Sequence, residues 1–121
     1  MKSLVLGDLE QEILSVIWSS TEPMCVRRVL EHLRGQYAYT TIMTMMSRME
    51  KKGLLKRLAQ GKSFVYTYTE DKTRYANKHL GFLYHSLVDT YGELAISQFV
   101  DSIKADNKNI KLLEEYLESH E

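Results

Sequence analysis

The sequence predicts a mainly α-helical fold with one small β-hairpin. Three observations carry this. Apolar residues recur at helical spacing in three stretches between Asp8 and Gly53, with breaks at Pro23 and Gly35. Directly after Gly53 the pattern becomes that of two short strands around Gln60-Gly61-Lys62-Ser63. Beyond Thr69 the helical period returns and holds to the end of the chain. Helix, turn, helix, turn, helix and hairpin, in that order, make a winged helix-turn-helix. It is assigned here to residues 1–70, with a helical segment over 71–121.

The first helix opens at Asp8, which can cap it, with Gln11 three residues on as in a capping box. Leu9, Ile13, Val16 and Ile17 follow one face, and Leu14 and Trp18 widen it. Thr21-Glu22-Pro23 is a turn, because proline restricts itself and the residue before it. Met24-Cys25 forms a short extended piece. The second helix turns Val26, Val29, Leu30 and Leu33 inward and Arg27, Arg28, Glu31 and Arg34 outward, and Gly35 closes it. Cys25 has no base or ligand near it in sequence and reads as a small apolar residue.

The third helix, within Ala38–Gly53, is the most informative. At about 100° per residue, Ile42, Met45, Met46 and Met49 fall on one face. Thr40, Thr44, Ser47 and Lys51 fall on the other, flanked by Met43 and Arg48. One side is dry core. The other carries hydroxyls, a thioether and cations, and short side chains let a helix come close to a surface and donate to phosphate or base edges. That is the profile of a recognition helix in a DNA major groove.

Leu54–Ala59 and Phe64–Thr69 are the strands, the second being all aromatic or β-branched. The turn between them is basic at its tip, so Lys62, Arg57 or Lys56 can reach backbone phosphates. After the hairpin, Tyr75, Phe82, Leu83, Leu87 and Tyr91 lie on a long helix that Gly92 ends. Ile96, Phe99, Val100 and Ile103 mark the next helix. Asp106-Asn107 can cap the last, which carries Ile110, Leu113, Tyr116 and Leu117. Three helices of this size cannot build a large core alone. Leu83, Leu87, Phe99, Val100, Ile103, Leu113 and Leu117 are therefore expected to dimerise two copies, the other solution being packing onto the same chain's winged helix.

Net charge is zero over 121 residues, but unevenly spread. Residues 1–69 hold ten Lys and Arg against six Asp and Glu, and residues 70–121 hold six against ten. This fits nucleic-acid contact by the first half only. No apolar run approaches the roughly 20 residues of a membrane span, so no membrane insertion is expected. Met1–Leu6 lacks the pattern of a secretory signal. One cysteine leaves no internal disulfide and no multi-cysteine zinc site, and a cytoplasmic location follows. There is no glycine-rich phosphate loop, histidine pair or nucleophile motif, so neither an enzyme, a cofactor nor a metal is expected.

Several of these stretches resemble the penicillinase-repressor family. They are Leu6-Gly7-Asp8-Leu9-Glu10, the aliphatic run to Trp18, Val26-Arg27-Arg28-Val29, and above all Ala38-Tyr39-Thr40-Thr41-Ile42-Met43-Thr44 with Arg48 and Lys51-Lys52-Gly53-Leu54. Tyr66-x-Tyr68 resembles the end of the family's wing. The resemblance implies a homodimeric transcriptional repressor on a palindromic operator of double-stranded DNA, dimerised through its carboxy-terminal helices. It implies base contacts at Thr40 and Met43 and phosphate contacts at Thr41, Thr44 and Arg48. In the β-lactam-responsive members a membrane sensor-protease cuts the helical segment. The corresponding bond here is Gln98–Phe99, with Gln98 where those members carry Asn. The copper-responsive relatives carry a cysteine cluster that this chain lacks. Ser47, Lys51 and Lys62 join the DNA-binding set on the residue pattern alone. The competing reading is a winged-helix protein-interaction module that never touches DNA.

Overall fold

The computed structural model describes residues 7–120. Helices α1 (Asp8–Ser19), α2 (Val26–His32) and α3 (Tyr39–Lys51) are followed by strands β1 (Leu55–Gln60) and β2 (Ser63–Tyr68). Helices α4 (Lys72–Tyr91), α5 (Glu93–Lys104) and α6 (Asn107–Ser119) complete the chain. The fold is mainly helical with a two-stranded antiparallel hairpin, as the sequence predicts.

The cap of α1 lies one position before the expected Asp8. Gly7 is the extended cap residue, and its N–H donates to the Glu10 carboxylate at 3.4 Å. Asp8 and Glu10 therefore sit in the first turn, at the positive end of the helix dipole. Met24 is extended, as expected, and exchanges two backbone hydrogen bonds with Tyr66, at 2.9 and 2.8 Å. Helix α2 ends at His32, before the predicted stop at Gly35. Leu33 is extended, which turns its side chain back into the core, and the Arg34 N–H donates to the Glu12 carboxylate at 2.6 Å.

Helix α3 ends in a glycine-dependent cap. The Gly53 N–H donates to the Glu50 carbonyl at 3.0 Å and the Leu54 N–H to the Met49 carbonyl at 2.9 Å. This pair of bonds is the Schellman motif, and it needs the left-handed backbone that Gly53 supplies at φ +84°. The reversal delivers Leu55 into the core as the first residue of β1. In the hairpin Leu55 pairs with Tyr68 and Gln60 with Ser63, leaving Gly61-Lys62 as a two-residue turn. Gly61 has φ +63° and Lys62 does not have positive φ, the type II′ pattern with glycine first.

One core joins these elements. Ile13, Leu14 and Ile17 of α1 meet Val26 and Val29 of α2, Ile42, Met46 and Met49 of α3, and Leu55 and Tyr66 of the hairpin. The expected third-helix stripe is thus buried, except that Met45 is only half-buried.

The chain divides into two compact units after His79, not after residue 70. The reason is aromatic. The Trp18 indole N–H donates to the Glu70 carbonyl at 3.0 Å, and its ring lies 5.4 Å from Tyr75, which lies 4.2 Å from His79. Glu70 also holds Arg74 and Lys78, each at 3.7 Å. Burial lifts the Tyr75 hydroxyl above the ordinary tyrosine range, and the Glu10 and Glu70 carboxylates push the same way. The first two turns of α4 therefore belong with the winged helix.

The second unit is different in kind. Gly92 separates α4 from α5, and Asp106 caps α6 by accepting the Lys108 N–H at 2.9 Å. Tyr84 and Phe99 bring rings from α4 and α5 to 6.1 Å. Among the described residues of this unit Ala95 alone is buried. Leu83, Leu87 and Ile103 are half-buried, while Phe99, Val100, Leu113 and Leu117 are exposed.

The two methionine environments of α3 separate core from surface. Met46 is fully buried and Met43 is 42% exposed. Met46→Ala is expected to cost about 2–5 kcal/mol and Met43→Ala to stay within about 0.5 kcal/mol, as read by urea unfolding of the two variants.

Candidate nucleic-acid interface

Because the buried stripe fixes the roll of α3, its opposite face is held outward. Thr40, Thr41, Met43, Thr44, Arg48 and Lys51 are exposed, and Ser47 is half-buried. Arg48 and Lys51 lie in the last turn, at the negative end of the helix dipole. Lys52 leaves this face and pairs with Glu10 of α1 at 3.1 Å.

Between α3 and the hairpin runs an open channel of about 760 Å³. Cys25, Val26 and Tyr66 contribute to its lining beside the polar groups. Met43, Thr44, Ser47, Arg48 and Lys51 line it from α3, Arg57, Lys62, Ser63 and Phe64 from the hairpin, and Arg27 and Tyr39 complete it. Five of these residues are cations, and no carboxylate is among them. The ion pairs among the described residues involve Lys52, Arg74, Lys78 and His79, so none of the five channel cations is in an ion pair among those residues.

Six of the eight predicted DNA-binding residues thus share one channel. Thr40 and Thr41 do not line it; they are exposed on the first turn of α3. The three wing cations also separate. Strand alternation puts Arg57 on the face of Leu55, Tyr66 and Phe64, and Lys56 on the other. Lys56 is accordingly absent from the channel.

Sequence reasoning missed Arg27, Tyr39 and Phe64 as site residues. The Arg27 guanidinium lies over the Tyr39 ring, 5.6 Å from its centroid. Arg57 lies over Phe64 at 4.4 Å. The second pair was accessible in principle, since Arg57 and Phe64 are diagonal neighbours once the turn fixes the register. The first joins two helices across a loop, and no spacing rule encodes it. Among the described residues no group of His, Cys, Asp or Glu could hold a metal ion. No helix there is long and apolar enough to cross a membrane.

Three helices, a hairpin and a cation-lined channel beside the third helix define a winged-helix domain of the kind found in transcriptional regulators. The chain belongs to the penicillinase repressor family, whose sequence model matches residues 6–119. It is similar to the transcriptional regulator BlaI of Mycobacterium tuberculosis, 43% identical over 63 residues, which are 50% of this chain and 46% of that protein. The matched part thus spans about half the length of the mycobacterial relative. It is also similar to the penicillinase repressor of Bacillus licheniformis, 29% identical over 118 residues, 95% of this chain and 91% of that one. The solution structure of the DNA-binding domain of the repressor BlaI is similar with a TM-score of 0.51 and 33% identity. That match covers 60% of this chain and 92% of the domain.

The wing's position depends on its turn. Gly61→Ala puts a Cβ on a left-handed residue and is expected to cost about 1–2 kcal/mol. Faster amide exchange confined to β1 and β2 would register it, with α1–α3 amides unchanged.

Proposed function

We propose that the protein is a dimeric transcriptional repressor that binds a palindromic operator in the cytoplasm. The observation that carries this reading is the channel of five cations, drawn from α2, α3 and the wing, with no carboxylate in its lining and no ion pair to any of the five among the described residues. A surface of that kind is completed by phosphates. The names of the relatives, a transcriptional regulator and a penicillinase repressor, agree with it.

In this reading α3 enters the major groove. Thr40 and Met43 meet base edges, Met43 through apolar contact of the kind a thymine methyl accepts. Thr41, Thr44 and Arg48 meet phosphates. The channel takes the sugar-phosphate strand that borders the groove, with Ser47 and Lys51 on one side and Lys62 on the other. Engaging five cations would give a salt slope of about −4.5 per winged helix. The two-fold symmetry of the operator would mirror that of the protein.

Dimerisation is supported by the second unit's exposed apolar side chains, which no residue of that unit covers. Leu83, Leu87, Phe99, Val100, Ile103, Leu113 and Leu117 supply the interface. Release by a membrane sensor-protease cutting Gln98–Phe99 belongs to the same reading; both residues are exposed, midway along α5.

The test is a gel-shift titration on the duplex upstream of the protein's own coding sequence, beside a scrambled duplex, at two salt concentrations. Thr44→Ala removes one hydrogen bond, a net loss of about 1 kcal/mol. Thr44→Glu faces a carboxylate to phosphate and is expected to abolish binding while circular dichroism stays native. Full operator affinity in a folded Thr44→Glu protein would leave the protein-interaction module as the better reading. Phe99→Ala is expected to shift the chain toward monomer in sedimentation at micromolar concentration, since the exposed Phe99 ring would be buried by the second copy and truncating a Phe so buried costs roughly 3–5 kcal/mol. An unchanged dimer would move the interface elsewhere.

A further inference from the structure

Two aromatic side chains of the channel are open to solvent: Phe64 is 48% exposed and Tyr39 is 42% exposed. Each has an arginine over its face, Arg57 over Phe64 at 4.4 Å and Arg27 over Tyr39 at 5.6 Å. Neither arginine has a carboxylate partner among the described residues. Both guanidiniums are within cation–π range of their rings.

We propose that Phe64 and Tyr39 are positioning residues. Each ring holds one arginine against a wall of the channel, with its N–H groups open to a DNA phosphate. The chemistry suits this. A guanidinium stacked on a ring uses its π face and keeps its five donors, which lie in the plane and match phosphate geometry. A free arginine samples many rotamers and loses that freedom on binding, whereas a stacked one loses less. A ring also attracts a cation without neutralising it, as a carboxylate would, so the positive potential of the channel is kept. One arginine comes from the wing and the other from α2, and both face the backbone strand that the channel takes. The proposal rests on the reading of the chain as a DNA-binding protein.

The experiment is a double-mutant cycle on the full chain, titrated against a mixed-sequence duplex over a range of salt, because phosphate contacts do not depend on sequence. Arg57→Gln is expected to weaken binding and to reduce the salt slope by about one unit. Phe64→Leu keeps apolar bulk but removes the π face. It is expected to weaken binding about two- to fivefold with the slope unchanged, since the cation is still present. Phe64→Tyr restores the π face and the affinity. In the Arg57→Gln background, Phe64→Leu is expected to cost nothing further. The same four measurements with Arg27→Gln, Tyr39→Leu and Tyr39→Phe test the other wall. Thermal melts of every variant separate loss of grip from loss of fold. Equal cost of Phe64→Leu with and without Arg57 would overturn the proposal, because the ring would then act on DNA or on the fold directly. Absence of duplex binding by the unmodified chain would instead overturn the DNA-binding reading itself, and the proposal with it.

Discussion

Everything in the amino-terminal unit depends on the burial of one helical stripe. Ile42, Met46 and Met49 recur at intervals of four and three residues and are fully buried against α1, α2 and the hairpin. That burial sets the roll of α3, and the roll decides which side chains face outward. The same stripe reaches the wing, because the Met49 carbonyl accepts the Leu54 N–H in the cap that turns the chain into β1. Recognition helix and wing are thus held by adjacent parts of one packing arrangement. Methionine is an adaptable filler, and here it meets Ile13, Leu14, Ile17 and Val29, whose branched shapes leave it little choice of position.

Charge is arranged on the same frame. Divided after His79, the first unit carries thirteen Lys and Arg against eight Asp and Glu, and the second three against eight. The first unit is therefore at +5 and the second at −5. Within the first unit the carboxylates keep away from the channel. Glu10 is spent on Gly7 and Lys52, Glu12 on the Arg34 backbone, and Glu70 on α4. Folding thus neutralises cations on the α1 and α4 side and leaves those beside α3 unmatched. A neutral chain can in this way present a strongly positive surface.

Period and punctuation made the order of elements legible in the sequence. The 3.6-residue stripe of α3, the strand-forming run Phe64–Thr69 and the glycines at 53, 61 and 92 each had one structural solution. The outward face of α3 followed from the stripe, and with it five of the residues that meet in the channel; the sixth, Lys62, followed from the glycine turn of the hairpin. What did not follow was fixed by contacts between elements distant in sequence. The cap of α1 moved to Gly7 because Glu10 reached back to it. The unit boundary moved to His79 because Trp18 found Tyr75, 57 positions away in the chain. The helical period makes Arg27 an outward cation, but its place over Tyr39 depends on the loop between α2 and α3. Lys56 and Arg57 were equivalent until the register assigned them to opposite faces of the hairpin.

The contact between Trp18 and Tyr75 also has an optical consequence. The chain contains one tryptophan. Its indole is half-buried, bonded to the Glu70 carbonyl and packed against a phenol ring, where α1 meets the start of α4. Emission excited beyond the tyrosine absorption band therefore comes from this junction alone. It is blind to the channel beside α3 and to the apolar faces of α5 and α6, neither of which holds an indole. A change in that emission on adding DNA, or on diluting the protein, would be a signal transmitted to the junction rather than one generated at the surface in contact.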